Sequence, residues 1–189
     1  FHVVGERMKD KADAEELRHI CLESTVTVKQ VERREKSEKP PALYDLTTLQ
    51  RDANRLLGFT AQQTLDYLQN LYEKKLCTYP RTDSRFLTSD MEEGLPVLAN
   101  LTANAMPFRK GIPIGCKTGA VINDKKVTDH HAILPTRNLQ EADLSGLPAG
   151  EREILELVAL RLLCAVAEPY TYTETAITVE CASAEFTAK

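Results

Sequence analysis

Thr78-Tyr79-Pro80-Arg81-Thr82-Asp83-Ser84 sets a tyrosine hydroxyl, a guanidinium, a carboxylate and further hydroxyls within a few residues. It follows directly on a helical pattern. Thr60-Ala61-Gln62-Gln63 predicts a capping box, and Leu65, Leu68, Leu71 and Tyr72 predict the buried face of the helix it opens. Leu76-Cys77 comes next, so a packed helix is expected to hold Tyr79 in place. A phenolate is both a competent attacker and a competent leaving group at a phosphodiester. A free tyrosine has a pKa of about 10 and needs a nearby positive charge to ionise. An arginine such as Arg81 is always charged and presents a planar fork suited to phosphate oxygens. For an isolated Tyr-Pro-Arg, a plain surface turn is the competing reading.

Outward from this junction the chain alternates between two textures. Upstream, Thr47 or Thr48 can cap a helix with the apolar stripe Leu49, Ala53, Leu56 and Leu57, which Gly58 ends. Downstream, a third helix is predicted from Thr88 or Ser89, with Asp90, Glu92 and Glu93 favourable in its first turn and Met91, Leu95 and Leu98 inward. Residues 107–126 carry Pro107, Gly111, Pro113, Gly115 and Gly119 among basic side chains, the signature of an irregular basic loop. A largely apolar helix is predicted from about Glu151 to Ala167, with Cys164 in the core; it is too short to span a membrane. The ends of the chain read differently. Phe1–Val4 and Val26, Val28 and Val31 look extended around a helix at Ala12–Cys21, and Tyr170–Cys181 is a strand by composition. Arg33–Pro41 is charged and ends in Pro40-Pro41, which places a domain crossing there. The expected fold is therefore α+β and multidomain. Residues 1–40 and 169–189 form one β-rich, discontinuous part, with a mostly helical 41–168 inserted between them.

At 189 residues, 42% hydrophobic and 28% charged, the chain has the composition of a soluble globular protein with enough length for a real core. No apolar run reaches membrane-spanning length. Five scattered cysteines lack metal-ligand spacing and read as reduced thiols. The chain opens at Phe1 without a methionine and stops just after a strand-like run, so it is expected to be part of something longer. Net charge is −4, which argues against a nucleic-acid partner until its distribution is considered. Residues 101–140 hold six basic and two acidic side chains, whereas 141–189 hold three basic and nine acidic. A local grip on phosphate is compatible with that pattern, as is a merely solvated surface.

A second constellation is Thr128-Asp129-His130-His131-Ala132-Ile133-Leu134-Pro135-Thr136. Adjacent histidines point apart and make a poor metal pair, so no metal is expected here. A histidine that hydrogen-bonds a phosphate or moves a proton fits, as does a structural histidine in a turn. Three blocks in this order, Pro40-Pro41-Ala42-Leu43-Tyr44-Asp45-Leu46-Thr47-Thr48-Leu49-Gln50, Leu71-Tyr72-Glu73 through Tyr79 to Ser84, and His130 to Thr136, closely resemble type IA DNA topoisomerases. The Tyr-Pro-Arg form is most similar to the topoisomerase III branch.

The resemblance implies a role for each matching residue. Tyr79 would attack single-stranded DNA and become joined to the 5′ phosphate, allowing strand passage and resealing without ATP, with relaxation of negative supercoils or decatenation as the outcome. Arg81 would position the scissile phosphate and stabilise its developing charge. His130 would contact DNA near the cleavage point. Asp83, Ser84 and Gln50 are carried as supporting DNA-binding residues, although Asp83 would equally serve to orient Arg81 and Gln50 to pack helices. The flanking pieces would belong to a β-rich arch, and 41–168 to the tyrosine domain. Nothing in the chain resembles the Toprim carboxylates that hold magnesium in that family, or its lysine. Mg2+ is thus expected of the full-length enzyme, and no activity of this stretch alone. A monomer working on single-stranded DNA in the bacterial cytoplasm, on nucleoid or plasmid DNA, is implied. The alternatives are a non-catalytic single-strand-binding or gate module, in which Tyr79 stacks on bases, and a helix-turn-helix reader built on 47–57 and 60–75.

Overall fold

The computed structural model describes residues 2–5, 8–106, 115–182 and 184–189; positions 107–114 of the expected basic loop lie outside them. The chain divides into two compact units, Lys39–Pro169 and Phe1–Glu38 with Tyr170–Lys189.

In the first unit the helices are set by their caps. Helix α2 (Leu46–Leu57) starts at Asp45, whose carboxylate accepts the Thr48 N–H at 2.6 Å while Thr48 Oγ1 accepts the Asp45 N–H at 3.2 Å. Neither threonine is the cap. Thr48 is the reciprocal partner three residues on, a role its position in the first turn dictates once Asp45 is outside the helix. Gly58 closes α2 in the left-handed region, φ 74°. Helix α3 (Ala61–Glu73) opens on the expected box between Thr60 and Gln63. Its buried face is Thr64, Leu68 and Leu71; Tyr72 is 39% exposed instead of core.

The third helix, α4 (Leu95–Ala105), begins later than its acidic turn suggested, and Ser89–Met91 forms a separate 3₁₀ turn. Pro96 is the reason. It fits a first helical turn but would clash with the carbonyl four residues back had the helix run through from Ser89. Helix α5 (Ala149–Ala165) buries Ile154, Leu155, Val158, Ala159, Leu162 and Leu163. Cys164 is exposed, not core; it shares an outer stripe with Leu160 four residues earlier, itself 46% exposed. At the start of α5, a Cβ on Gly150 would meet the Tyr67 ring at 2.5 Å, so the glycine permits the closest approach of α3 to α5.

Two apolar clusters share this unit. One gathers Leu49, Leu68, Leu71, Leu76, Ile133 and Val158, the other Leu43, Leu87, Leu95, Ala132, Leu134 and Leu162. The stretch Ala132-Ile133-Leu134 sends successive side chains alternately into the two clusters, as extended backbone does. That is why it is apolar without a break. Tyr44, Asp52 and Arg161 form a half-buried knot beside the first cluster. The tyrosine hydroxyl donates to Asp52 at 2.8 Å, and the Arg161 guanidinium pairs with Asp52 and lies 4.1 Å over the Tyr44 ring. Burial pushes the Asp52 carboxyl up, but the Tyr44 hydrogen bond and the charges of Arg55 and Arg161 outweigh it and hold it below its ordinary range.

The second unit is an antiparallel sheet of β1 (His2–Val3), β2 (Thr27–Glu38), β3 (Tyr170–Cys181) and β4 (Ala184–Ala188), in the order β1-β4-β3-β2, with helix α1 (Lys11–Glu23). The charged run Arg33–Glu38 is strand up to the boundary between the units at Glu38 and Lys39. It pairs residue by residue with Tyr170–Thr175, and Lys36 meets Glu174 across the ladder at 2.9 Å. As β2 is an edge strand, charge there protects it from pairing with another chain.

Candidate active site

The path from α3 to Tyr79 is fixed by a tight helix end. Lys75 sits in the left-handed region at φ 60°. The Leu76 N–H donates to the Leu71 carbonyl and the Lys75 N–H to the Tyr72 carbonyl, both at 2.8 Å, the paired bonds of a Schellman closure with Leu71 and Leu76 in contact in the core. A glycine usually occupies the Lys75 position. The Lys75 carbonyl is held in turn by the Thr136 hydroxyl and by the Asn138 amide at 3.2 Å.

From there the three sequence blocks are sewn together by backbone. Thr78 N–H donates to the Leu134 carbonyl, and Leu134 N–H returns a bond to Thr78 Oγ1, each 2.9 Å. Ile133 N–H reaches the Tyr44 carbonyl at 2.8 Å, Ala132 N–H the Phe86 carbonyl at 2.9 Å, and Leu46 N–H the Thr82 carbonyl at 3.1 Å. The segment His130–Thr136 is therefore bonded to both the tyrosine block and the block that opens α2, and those two also meet directly at Thr82 and Leu46.

Within the tyrosine block, exposure alternates. Pro80, Thr82 and Ser84 are buried, while Arg81 and Asp83 are exposed and Tyr79 is intermediate. The buried hydroxyls are structural. Thr82 Oγ1 donates to the His130 carbonyl at 3.0 Å and accepts the Ser84 N–H at 3.1 Å; Ser84 Oγ donates to the Lys126 carbonyl at 2.8 Å. Ser84, expected as a DNA-binding residue, is 4% exposed and spent on holding the loop. Gln50 is likewise committed, its amide donating to the Ala61 carbonyl at 3.0 Å and so tying α2 to the start of α3.

The odd positions are the accessible ones. Tyr79 is flanked by two rings. His130 lies 4.3 Å away centroid to centroid, tilted by 36°, and Tyr72 meets it edge-on at 5.5 Å and 83°. Tyr72 is the neighbour that sequence reasoning missed, because its place in the helical pattern marked it as core. His130, Arg81, Asp83, Asp129 and Asp45 line one open cleft of about 470 Å³; Tyr79 is not itself in its lining and adjoins it through the His130 ring. The ion pairs of this unit join Arg55 and Arg161 to Asp52, Lys74 to Glu151 and Lys117 to Glu168. Among the described residues Arg81 enters none of them and does not pair with Asp83, and it lines the cleft. The nearby Cys77 offers no rival nucleophile. It is buried, and burial pushes its thiol far above the ordinary range. Among the described residues no group of three or more His, Cys, Asp and Glu side chains is placed to hold a metal ion, and no helix is long and apolar enough to cross a membrane.

Comparison with known proteins gives a consistent result. A family profile described as DNA topoisomerase matches residues 2–189. DNA topoisomerase 3 of Bacillus licheniformis is 43% identical over 157 residues, covering 79% of this chain and 21% of its own length. The DNA topoisomerase 3 of Bacillus subtilis is 42% identical over 170 residues, covering 86% and 23%. The chain thus spans about a fifth of the length of these curated relatives. A structure of full-length topoisomerase I from Thermotoga maritima superposes with a TM-score of 0.70 at 24% identity, over 98% of this chain and 30% of that one.

Proposed function

The chain belongs to the DNA topoisomerase family, within its type IA, topoisomerase III-like branch, and from that premise we propose that Tyr79 is the nucleophile of a transient DNA break. Its phenolic oxygen loses a proton and bonds to the phosphorus of a backbone phosphodiester. The bond from phosphorus to the 3′ oxygen breaks, that oxygen leaves with a proton as a 3′-hydroxyl, and the 5′ phosphate stays on the tyrosine. Resealing is the reverse, and one phosphodiester replaces another at little cost, so no ATP is required. A tyrosine suits this better than a serine, whose more basic alkoxide leaves less readily.

Arg81, which lines the cleft, receives the phosphate oxygens and the charge that builds on them. His130, stacked on Tyr79 and lining the same cleft, positions the phenol and presents a ring nitrogen to the strand. Asp83 sets the polar rim. Ser84 and Gln50 act through the scaffold. In this reading magnesium would be held by other parts of the longer enzyme, which would also supply the remaining catalytic groups. Residues 41–168 serve as the tyrosine domain and the sheet unit as part of the arch, in a monomeric enzyme acting on single-stranded DNA in the bacterial cytoplasm.

The observation that carries the reading is the split of the tyrosine block, with Arg81 and Asp83 exposed, Tyr79 partly so, and Pro80, Thr82 and Ser84 buried. The His130 ring covers one face of Tyr79 and Tyr72 meets its edge, which leaves a stacking base only the opposite face. The test is a chimera in which residues 2–189 replace the matching stretch of a full-length relative. Incubated with magnesium and a labelled single strand, it should give a denaturant-resistant adduct that Tyr79→Phe abolishes and Arg81→Gln lowers by about 10²–10³-fold in rate. An adduct undiminished in Tyr79→Phe would refute the assignment.

A further inference from the structure

On the other side of the first turn of α2 lies a second cleft, of about 460 Å³, lined by Thr48, Arg51, Asp52, Arg55, Arg85 and Arg161. It plays no part in the chemistry assigned to Tyr79. Four guanidiniums face one carboxylate, and Asp52 is shared between Arg161 and Arg55, the latter at 3.2 Å. The Arg85 Nε–H is turned to the Leu43 carbonyl at 3.2 Å, which anchors the base of that guanidinium and leaves its outer nitrogens toward the cleft. Arg51 and Arg55 are exposed on successive turns of α2, four residues apart on one face. So dense a concentration of one sign, in a chain whose net charge is −4, is the reverse of what a merely solvated surface requires.

Two connections tie this cleft to the first. Thr47 lines the Tyr79-side cleft and the adjacent Thr48 lines this one; Arg81 and Arg85 come from the same short segment, one to each cleft. That segment is locked by the buried Thr82 and Ser84, so the backbone positions of Arg81 and Arg85 keep a fixed separation. A flexible polyanion held at Arg81 would find its next phosphates beside Arg85, Arg51 and Arg55. Arg161 is different in kind. It is engaged with Asp52 and Tyr44 and contributes field more than contact.

We infer that the arginine cleft formed by Arg51, Arg55, Arg85 and Arg161 is a phosphate-binding track that carries the strand onward from the cleft beside Tyr79. The inference rests on nucleic acid as the partner of the Tyr79 cleft. It assigns this second surface a task of its own, affinity without sequence preference, because guanidiniums meeting phosphates read charge and not bases.

The test uses the chain as it stands, with fluorescent oligothymidylates of about 4 and about 16 nucleotides, titrated by anisotropy across a salt series. Arg51→Gln/Arg55→Gln should weaken binding of the longer strand about tenfold and make its salt dependence shallower by about 1.4, the loss of two phosphate contacts on single strands. The shorter strand should bind within twofold of wild type. Arg51→Lys/Arg55→Lys should restore most of the loss, which separates charge from folding. Tripolyphosphate distinguishes a strand from a small polyanion. If the Gln variant lost tripolyphosphate binding while holding the longer strand normally, the track would be overturned in favour of a small-anion site. Equal salt slopes for the Gln variant and wild type, with Arg81→Gln still weakening both strands, would overturn the track and leave the Tyr79 reading intact. No binding of either strand by the wild-type chain would count against both.

Discussion

The two units of this chain reach order by opposite means. The helical unit fills two clusters with residues such as Leu68, Leu71, Ile133 and Leu162, each 1% exposed or less. In the sheet unit, Val179 and Cys181 are the only buried hydrophobic side chains among the described residues, and Val26, Val28 and Val31 are each more than half exposed. The sheet is held by its ladder and by cross-strand pairs such as Lys36 with Glu174, the helical unit by burial. Every group proposed to touch DNA lies in the unit that has the core. Placing a nucleophile and a guanidinium for in-line chemistry needs backbone that does not give, and close-packed side chains supply it.

The sharpest way to break that comparison is to remove equal chemistry from each side. Leu68→Ala should destabilise the helical unit by about 2–5 kcal/mol, as a core deletion that leaves a cavity, whereas Val31→Ala should cost less than about 0.5 kcal/mol. Hydrogen exchange under mild denaturant, read separately at the amides of α3 and of β2, reports both. Similar losses would show that the exposed valines carry more of the sheet's stability than their burial suggests.

Inside the helical unit the alternation of the tyrosine block makes a smaller version of the same contrast. Thr82→Val cuts the bond to the His130 carbonyl and leaves the Ser84 N–H buried without its acceptor. It should cost about 1–3 kcal/mol. Asp83→Asn, one residue on but facing solvent, should stay within about 0.5 kcal/mol. Thermal unfolding of the two variants settles the order, and a reversal would mean that the block's outward and inward faces have been misassigned.

The smallest effect has the opposite sign. Lys75 holds a left-handed conformation that costs an ordinary residue roughly 1–2 kcal/mol. Lys75→Gly should therefore raise stability by about 1 kcal/mol, visible as a higher melting temperature. A loss instead would show that the lysine side chain contributes contacts that outweigh its backbone strain.

Much of this was legible in the sequence wherever the cause was local. The Thr60–Gln63 box and the Gly58 stop depend on residues within four positions of each other, and both stand as read. Asp45 was overlooked as a cap because two threonines followed it, and only the position of the first helical residue separates cap from partner. The run Arg33–Glu38 gives no strand signal of its own, because what pairs it, the ladder to Tyr170–Thr175, lies more than 130 residues away in the chain. At Ser84 and Gln50 the sequence leaves two roles open, a DNA contact or a scaffold bond; in the structure each donates to a backbone carbonyl, of Lys126 and of Ala61, that no sequence pattern displays. Apolarity misled at Cys164 and Tyr72, where helix-face assignment depends on which neighbours pack against it. The convergence of the three blocks was legible only through the resemblance; the hydrogen bonds of Thr78, Ile133 and Thr82 supply its physical reason.

The most direct measurement is to isolate the covalent adduct from the chimera, digest both protein and DNA, and map the linked peptide by mass spectrometry. The account predicts a single nucleotide-bearing peptide with the 5′ phosphate on the Tyr79 oxygen. Attachment at the adjacent Tyr72, or at Thr82 or Ser84, would contradict it.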